Sequence, residues 1–203
     1  TAKIKISGKG GYAGTVIKNF EIMRRDISEF GDMVYLPYSS ITYSGNENKP
    51  SISVPTWIEG VDYEVVYLNN VNTGTAEIRI NGIGNCQGTI IKHFDITPID
   101  IGSYTLNIAS AGNKYTGSEI RPEVNIDGLT ENKDYELLYE NNVAVGLATV
   151  TATGIGNCAG TLVGYFNIVP RNISELIINL EYNETVYDGG EKCPIITING
   201  LTE

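Results

Sequence analysis

The chain has 203 residues, of which 41% are hydrophobic and 19% charged, a balance that supports a packed core rather than disorder. A formal net charge of −10 excludes the basic surface that nucleic acid requires, and no apolar run reaches the roughly 18 residues that cross a bilayer. A single His and a single Trp leave little material for catalysis, whereas 23 Gly and 13 Tyr favour strands joined by tight turns.

Along the chain, Ala2, Ile4 and Ile6 alternate with polar residues, the period of a half-buried strand, and Phe20-Glu21-Ile22 ends a second. Arg24–Phe30 can form one short helical turn. Ile52 and Val54 predict a buried strand, followed by Tyr63, Val65 and Tyr67, by Ala76, Ile78 and Ile80, and by Ile90, Phe94 and Ile96. The stretch 101–108 adds one more, after which Val124 with Ile126, then Tyr135 with Leu137 and Tyr139, restart the series. Ala148, Val150 and Ala152 come next, then Leu162, Phe166 and Ile168, and finally 177–182 and Ile196 with Ile198. Gly- and Asn-rich turns separate these segments, and no long stretch has a capped helical period. The class is all-β.

The series restarts because the chain is a tandem repeat. Tyr43-Ser44-Gly45, Tyr115-Thr116-Gly117 and Tyr187-Asp188-Gly189 recur every 72 residues, as do Pro50, Pro122 and Pro194. Asp62-Tyr63-Glu64 returns as Asp134-Tyr135-Glu136, and Asn69-Asn70-Val71 as Asn141-Asn142-Val143. Gly82-Ile83-Gly84-Asn85-Cys86 returns as Gly154-Ile155-Gly156-Asn157-Cys158, with Gly8–Thr15 an earlier, diverged copy. Without gaps, 43–98 and 115–170 share 24 identities in 56 positions.

The expected organisation is a second half-unit over 1–24, full units over 25–98 and 99–170, and a first half-unit over 171–203. Each full unit reads as a small antiparallel β-sandwich, Ig-like, in an elongated array; a β-grasp-like sheet is the alternative. In the rival phase, three permuted units begin near Thr1, Thr75 and Leu147 and end near Glu59, Glu131 and Glu203. Both ends stop mid-unit and Thr1 is not an initiator Met, so the expectation is a fragment of a longer chain.

The run from Asp62 to Asn70, then Gly74-Thr75-Ala76, Gly82-Ile83-Gly84-Asn85, Gly88-Thr89 and Phe94-Asp95-Ile96, resembles bacterial cell-surface tandem repeats of the MBG/YDG type. These are grouped with bacterial Ig-like modules, and Tyr187-Asp188-Gly189 spells the second tag. The resemblance implies a module of large secreted or wall-attached proteins, arrayed in stalks and adhesive regions, with no catalytic residues to carry over. Cys86 and Cys158 stand where the family usually has the Tyr that Tyr12 keeps.

Candidate chemistry is sparse. Cys86 and Cys158 hold equivalent places one module apart, beyond the roughly 7 Å reach of a disulfide in a linear array, and read as small buried side chains. Cys193 reads as exposed, and a Cys158–Cys193 link stays open. His93 has counterparts Asn19 and Tyr165 and reads as a strand-surface residue. The pairs Asp62/Glu64 and Asp134/Glu136 fit a structural role better than calcium binding or glycoside hydrolysis. Trp57 is either a sugar platform or an apolar packing residue, and its counterparts Leu129 and Leu201 favour packing. The Gly-Ile-Gly-Asn loops precede strands, not the helix that a phosphate cradle needs.

No catalytic, cofactor or metal residue is therefore assigned, and the ligand-binding residues stay unassigned. The expected function is a non-enzymatic stalk or spacer in an extracellular, bacterial cell-surface protein or filament. Its partners would be neighbouring modules or head-to-tail copies of itself. The alternative is an adhesion module taking host glycan or protein through its loops; an accessory segment of a secreted enzyme is the third reading.

Overall fold

In the computed structural model, which describes residues 1–199, 44% of the chain is strand and 6% helical, so the fold is all-β. Contacts divide it into two compact units, Thr1–Thr97 and Pro98–Glu203.

The first unit runs β1 (Ala2–Ser7), β2 (Thr15–Phe20), β3 (Arg25–Asp26), a 3-10 turn (Ser28–Met33), β4 (Ser40–Thr42), β5 (Tyr63–Leu68), β6 (Gly74–Gly82), β7 (Cys86–Gln87) and β8 (Thr89–Thr97). Strands β5, β6 and β8 form an antiparallel meander, β4 joins β8 in parallel, and β3 joins β7 in parallel. Period-two alternation decides the core. Ala76, Ile78, Ile80, Ile90, Phe94 and Ile96 are buried together with Ile27, Val34, Val54, Tyr63 and Cys86. Each fully buried Ile or Phe contributes about 1.5–3 kcal/mol through removal of apolar surface from water.

The second unit runs β9 (Ile99–Asp100), a 3-10 turn (Ile101–Ser103), β10 (Leu106–Ile108), β11 (Val124–Ile126), β12 (Tyr135–Glu140), β13 (Gly146–Gly154), β14 (Cys158–Ala159), β15 (Thr161–Ile168), a 3-10 turn (Ile173–Glu175), β16 (Ile177–Leu180) and β17 (Ile196–Asn199). Its sheet has the order β12-β13-β15, and β9 pairs in parallel with β14. The β10–β11 hairpin packs on this sheet. Val124 and Ile126 are buried among Ala148, Val150, Phe166 and Ile168 and among Tyr135, Ala152 and Cys158. Strands β12, β13 and β14 start 72 residues after β5, β6 and β7.

Five details differ from the alternation alone. The strand pairing is not wholly antiparallel, because β4 runs parallel to β8, β3 to β7 and β9 to β14. Ile52 and Val54 pack inward without a ladder, since Pro50 and Pro55 on either side remove donors. Only 106–108 of the stretch 101–108 is strand, its start being a 3-10 turn, and the turn expected over 24–30 lies at Ser28–Met33.

The fifth difference is the largest. Hairpins β1–β2 and β16–β17 form as the pattern predicts, but their apolar residues, including Ile4, Ile6, Phe20, Ile177 and Ile196, are exposed. Residues 2–20 do not pair with 43–58, so the strand pairing that the permuted phase requires is missing among the described residues.

Candidate functional site

The most specific constructions are the places where recurring polar residues meet the backbone. The carboxylate of Asp26 accepts from the Ser28 amide at 2.9 Å and from its hydroxyl at 2.7 Å, which holds the carboxyl below its usual range. The carboxylate of Asp100 accepts from the Gly102 amide at 2.9 Å in the same way. Each turn seats against a glycine of the opposite loop. A Cβ on Gly88 would stand 2.1 Å from Asp26 Oδ1, and one on Gly160 would stand 2.2 Å from Asp100 Oδ1. Both glycines have φ of +85°, in the left-handed region.

The paired carboxylates are engaged differently from a cation site. Asp62 Oδ2 accepts from the Ile58 amide and Asp134 Oδ2 from the Thr130 amide, each at 2.9 Å, closing the turn that leads into β5 or β12. Glu64 and Glu136 lie one residue into those strands and point outward. Asn70 Nδ2 donates to the Asn48 carbonyl at 3.1 Å, and Asn142 Nδ2 to the Ile120 carbonyl at 3.2 Å, which explains two buried Asn side chains. The alternation did not reveal these partners, because each lies 22 residues away in an irregular segment.

Cys86 and Cys158 are buried in the cores beside their Gly-Asn turns, Cys193 is exposed, and all three are free thiols. Burial pushes the Cys158 thiol up, with the Asp134 carboxylate adding in the same direction. The structure thus does not bring Cys158 together with Cys193.

Trp57 is half-buried against the first core, its ring 4.7 Å from Phe30 in an edge contact. The Arg25 guanidinium lies 4.8 Å from the Phe30 ring and 5.8 Å from that of Trp57. Leu129 packs on the second core, and Leu201 lies outside the described residues. His93 sits on the outer face of β8, its Nε2 3.6 Å from a Glu77 carboxylate that Arg79 also holds, chiefly by a hydrogen bond that lowers its pKa. Among the described residues no three His, Cys, Asp or Glu side chains gather in a metal-binding arrangement.

The surface concavities are shallow and lie on framework. One follows the turn from Asn69 to Thr75; another runs between Ile108–Asn113 and Tyr165–Val169. Among the described residues no helix is long and apolar enough to cross a membrane. No family model matches the chain, and neither a curated protein nor a solved structure matches it.

Proposed function

We propose that the chain is a non-enzymatic stalk or spacer segment of a large bacterial extracellular surface protein, built from tandem Ig-like β-sandwich modules of the MBG/YDG type. One observation carries this reading. Three pairs of polar residues that recur between the units, Asp62 and Asp134, Tyr67 and Tyr139, and Asn70 and Asn142, are engaged in internal hydrogen bonds at matching places. In these three pairs the recurring side chain serves the framework. A mechanical or spacing role needs that framework and nothing more, since stability in an array comes from each unit and its neighbour contacts.

Stretching single molecules tests the mechanical part: the two full units should unfold in separate events, each releasing up to about 250 Å at roughly 3.5 Å per residue. Antibodies against the segment should label intact bacteria that carry it. Saturable binding to arrayed host glycans or surface proteins would replace the spacer reading with that of an adhesion module.

A further inference from the structure

We propose that each full unit is a mechanical clamp, in which the parallel strand pairs lie in shear between the points where the chain enters and leaves the unit. This property belongs to a single unit and to one direction of pull, so it goes beyond the spacer reading and holds wherever the chain works.

Chain direction supplies the geometry. The chain enters the first full unit at β3 and leaves it at the end of β8. In a parallel pair, the start of one strand and the end of the other lie at opposite ends of the ladder. Ser40 faces Asp95 and Thr42 faces Thr97 along β4–β8, and Arg25 faces Cys86 along β3–β7. Tension between entry and exit therefore slides β3 along β7 and β4 along β8. The bonds of a pair share that tension and must break together.

The second unit keeps the arrangement. Ile99 faces Cys158 in the parallel pair β9–β14, and Lys114 bridges Val169 in parallel beside the exit. The backbone bonds are well formed. In the first unit the Tyr43 amide donates to the Thr97 carbonyl at 2.8 Å and the Asp95 amide to that of Ser39 at 2.9 Å. In the second, the Tyr115 amide donates to the Val169 carbonyl and the Val169 amide to that of Asn113, each at 2.9 Å.

Two further features oppose sliding. Ile96 is buried while Ile41 and Tyr43 pack on the first core, and Ile168 is buried while Tyr115 packs on the second, so the inner side of each clamp is closed to water. A slide of β3 also carries the Asp26 carboxylate off Gly88, whose neighbours Gln87 and Thr89 both have side chains. Asp100 is held in the same way against Gly160, between Ala159 and Thr161.

The rest of the unit is bypassed. Tension passes from β3 to β7 and from β4 to β8, so the segment 44–85 carries none until these pairs part. The bonds of Tyr67 to Pro50 and Asn70 to Asn48 lie inside that sheltered segment.

Single-molecule stretching of the 203-residue chain tests the clamp, with azide-bearing residues as handles at Arg24, Ser44 and Pro98, all of which are exposed. Handles at Arg24 and Pro98 pull the first unit from entry to exit. Handles at Ser44 and Pro98 grip one end of β4–β8 and peel its bonds one at a time. The events are told apart by length, up to about 250 Å and about 190 Å at roughly 3.5 Å per residue. At one loading rate the entry-to-exit pull should need at least about twice the force of the peel, because forced unfolding reads the rate of the breaking step. The same ratio should hold in the second unit for handles at Pro98 and Arg171 against handles at Thr116 and Arg171. A smaller ratio in either unit would overturn the proposal. Separate unfolding of the two units with such a small ratio would remove the clamp and leave the spacer reading standing.

Discussion

The hydroxyl of Tyr67 donates to the carbonyl oxygen of Pro50 at 2.6 Å, and Tyr139 donates to that of Pro122 at 2.8 Å. Both prolines are buried, so each phenol ties the irregular first half of a unit to the meander of its second half. Tyr67→Phe leaves a buried carbonyl without a donor and should cost about 1–3 kcal/mol. Thermal melts of Tyr67→Phe and Tyr139→Phe should each show a lower transition for the altered unit, and an unchanged melt would remove the tie from the account.

Alkaline pH should destabilise both units. Burial raises the pKa of Tyr67, Tyr135, Tyr139 and Cys158 above the unfolded values, which keeps these groups protonated in the native state. The stability this gives is fully present below the unfolded pKa. It is lost as pH rises from the usual thiol and phenol range through the folded values. Urea midpoints should hold up to about pH 8.5 and then fall, with the fall beginning later in Cys158→Ala. A flat profile to pH 11 would contradict the burial of these groups.

Thr56 has φ of +72°, a strained setting for a β-branched residue, whereas the second unit has Gly128 there at +81°. Relief of that strain outweighs the added backbone freedom of glycine in the unfolded chain. Thr56→Gly should therefore raise stability by about 1 kcal/mol, read as a higher urea midpoint. A lower midpoint would show that Thr56 is not strained.

Calcium should leave the melting temperature unchanged, and so should a chelator. Asp62 and Asp134 already accept from backbone amides in their turns, and Glu64 and Glu136 point away. A rise of several degrees on adding calcium would mean specific binding to the native state. Asp62→Ala, by contrast, should lower stability by about 1 kcal/mol through loss of the turn's acceptor.

Much of this fold was legible in the residues. Alternation located β5, β6, β8 and their counterparts, and the repeat gave the matching positions of Cys86 and Cys158. The parallel contacts were not legible, because Ile41 meets Ile96 and Arg25 meets Cys86 across long separations that no local period reports. Nor does alternation say whether a face is covered: Ile4 and Ile78 hold the same place in an alternating Ala, Ile, Ile pattern, yet Ile4 is exposed and Ile78 fully buried. The roles of Asp62, Tyr67 and Asn70 were visible as recurrence alone, their partners being backbone groups that carry no residue signature.

The parallel pairing of β4 with β8 also sets an order in time. Joining Ile41 to Ile96 closes 55 residues, while joining Val65 to Ile80 closes 15. The longer closure costs about 1 kcal/mol more chain entropy. The meander therefore forms first and the upstream half docks last. During synthesis at about 5–20 residues per second, that upstream half emerges roughly 3–10 s before the strand it must meet. Folding of non-local β structure takes only milliseconds to seconds, so the pace of each unit is set by the ribosome rather than by the chain.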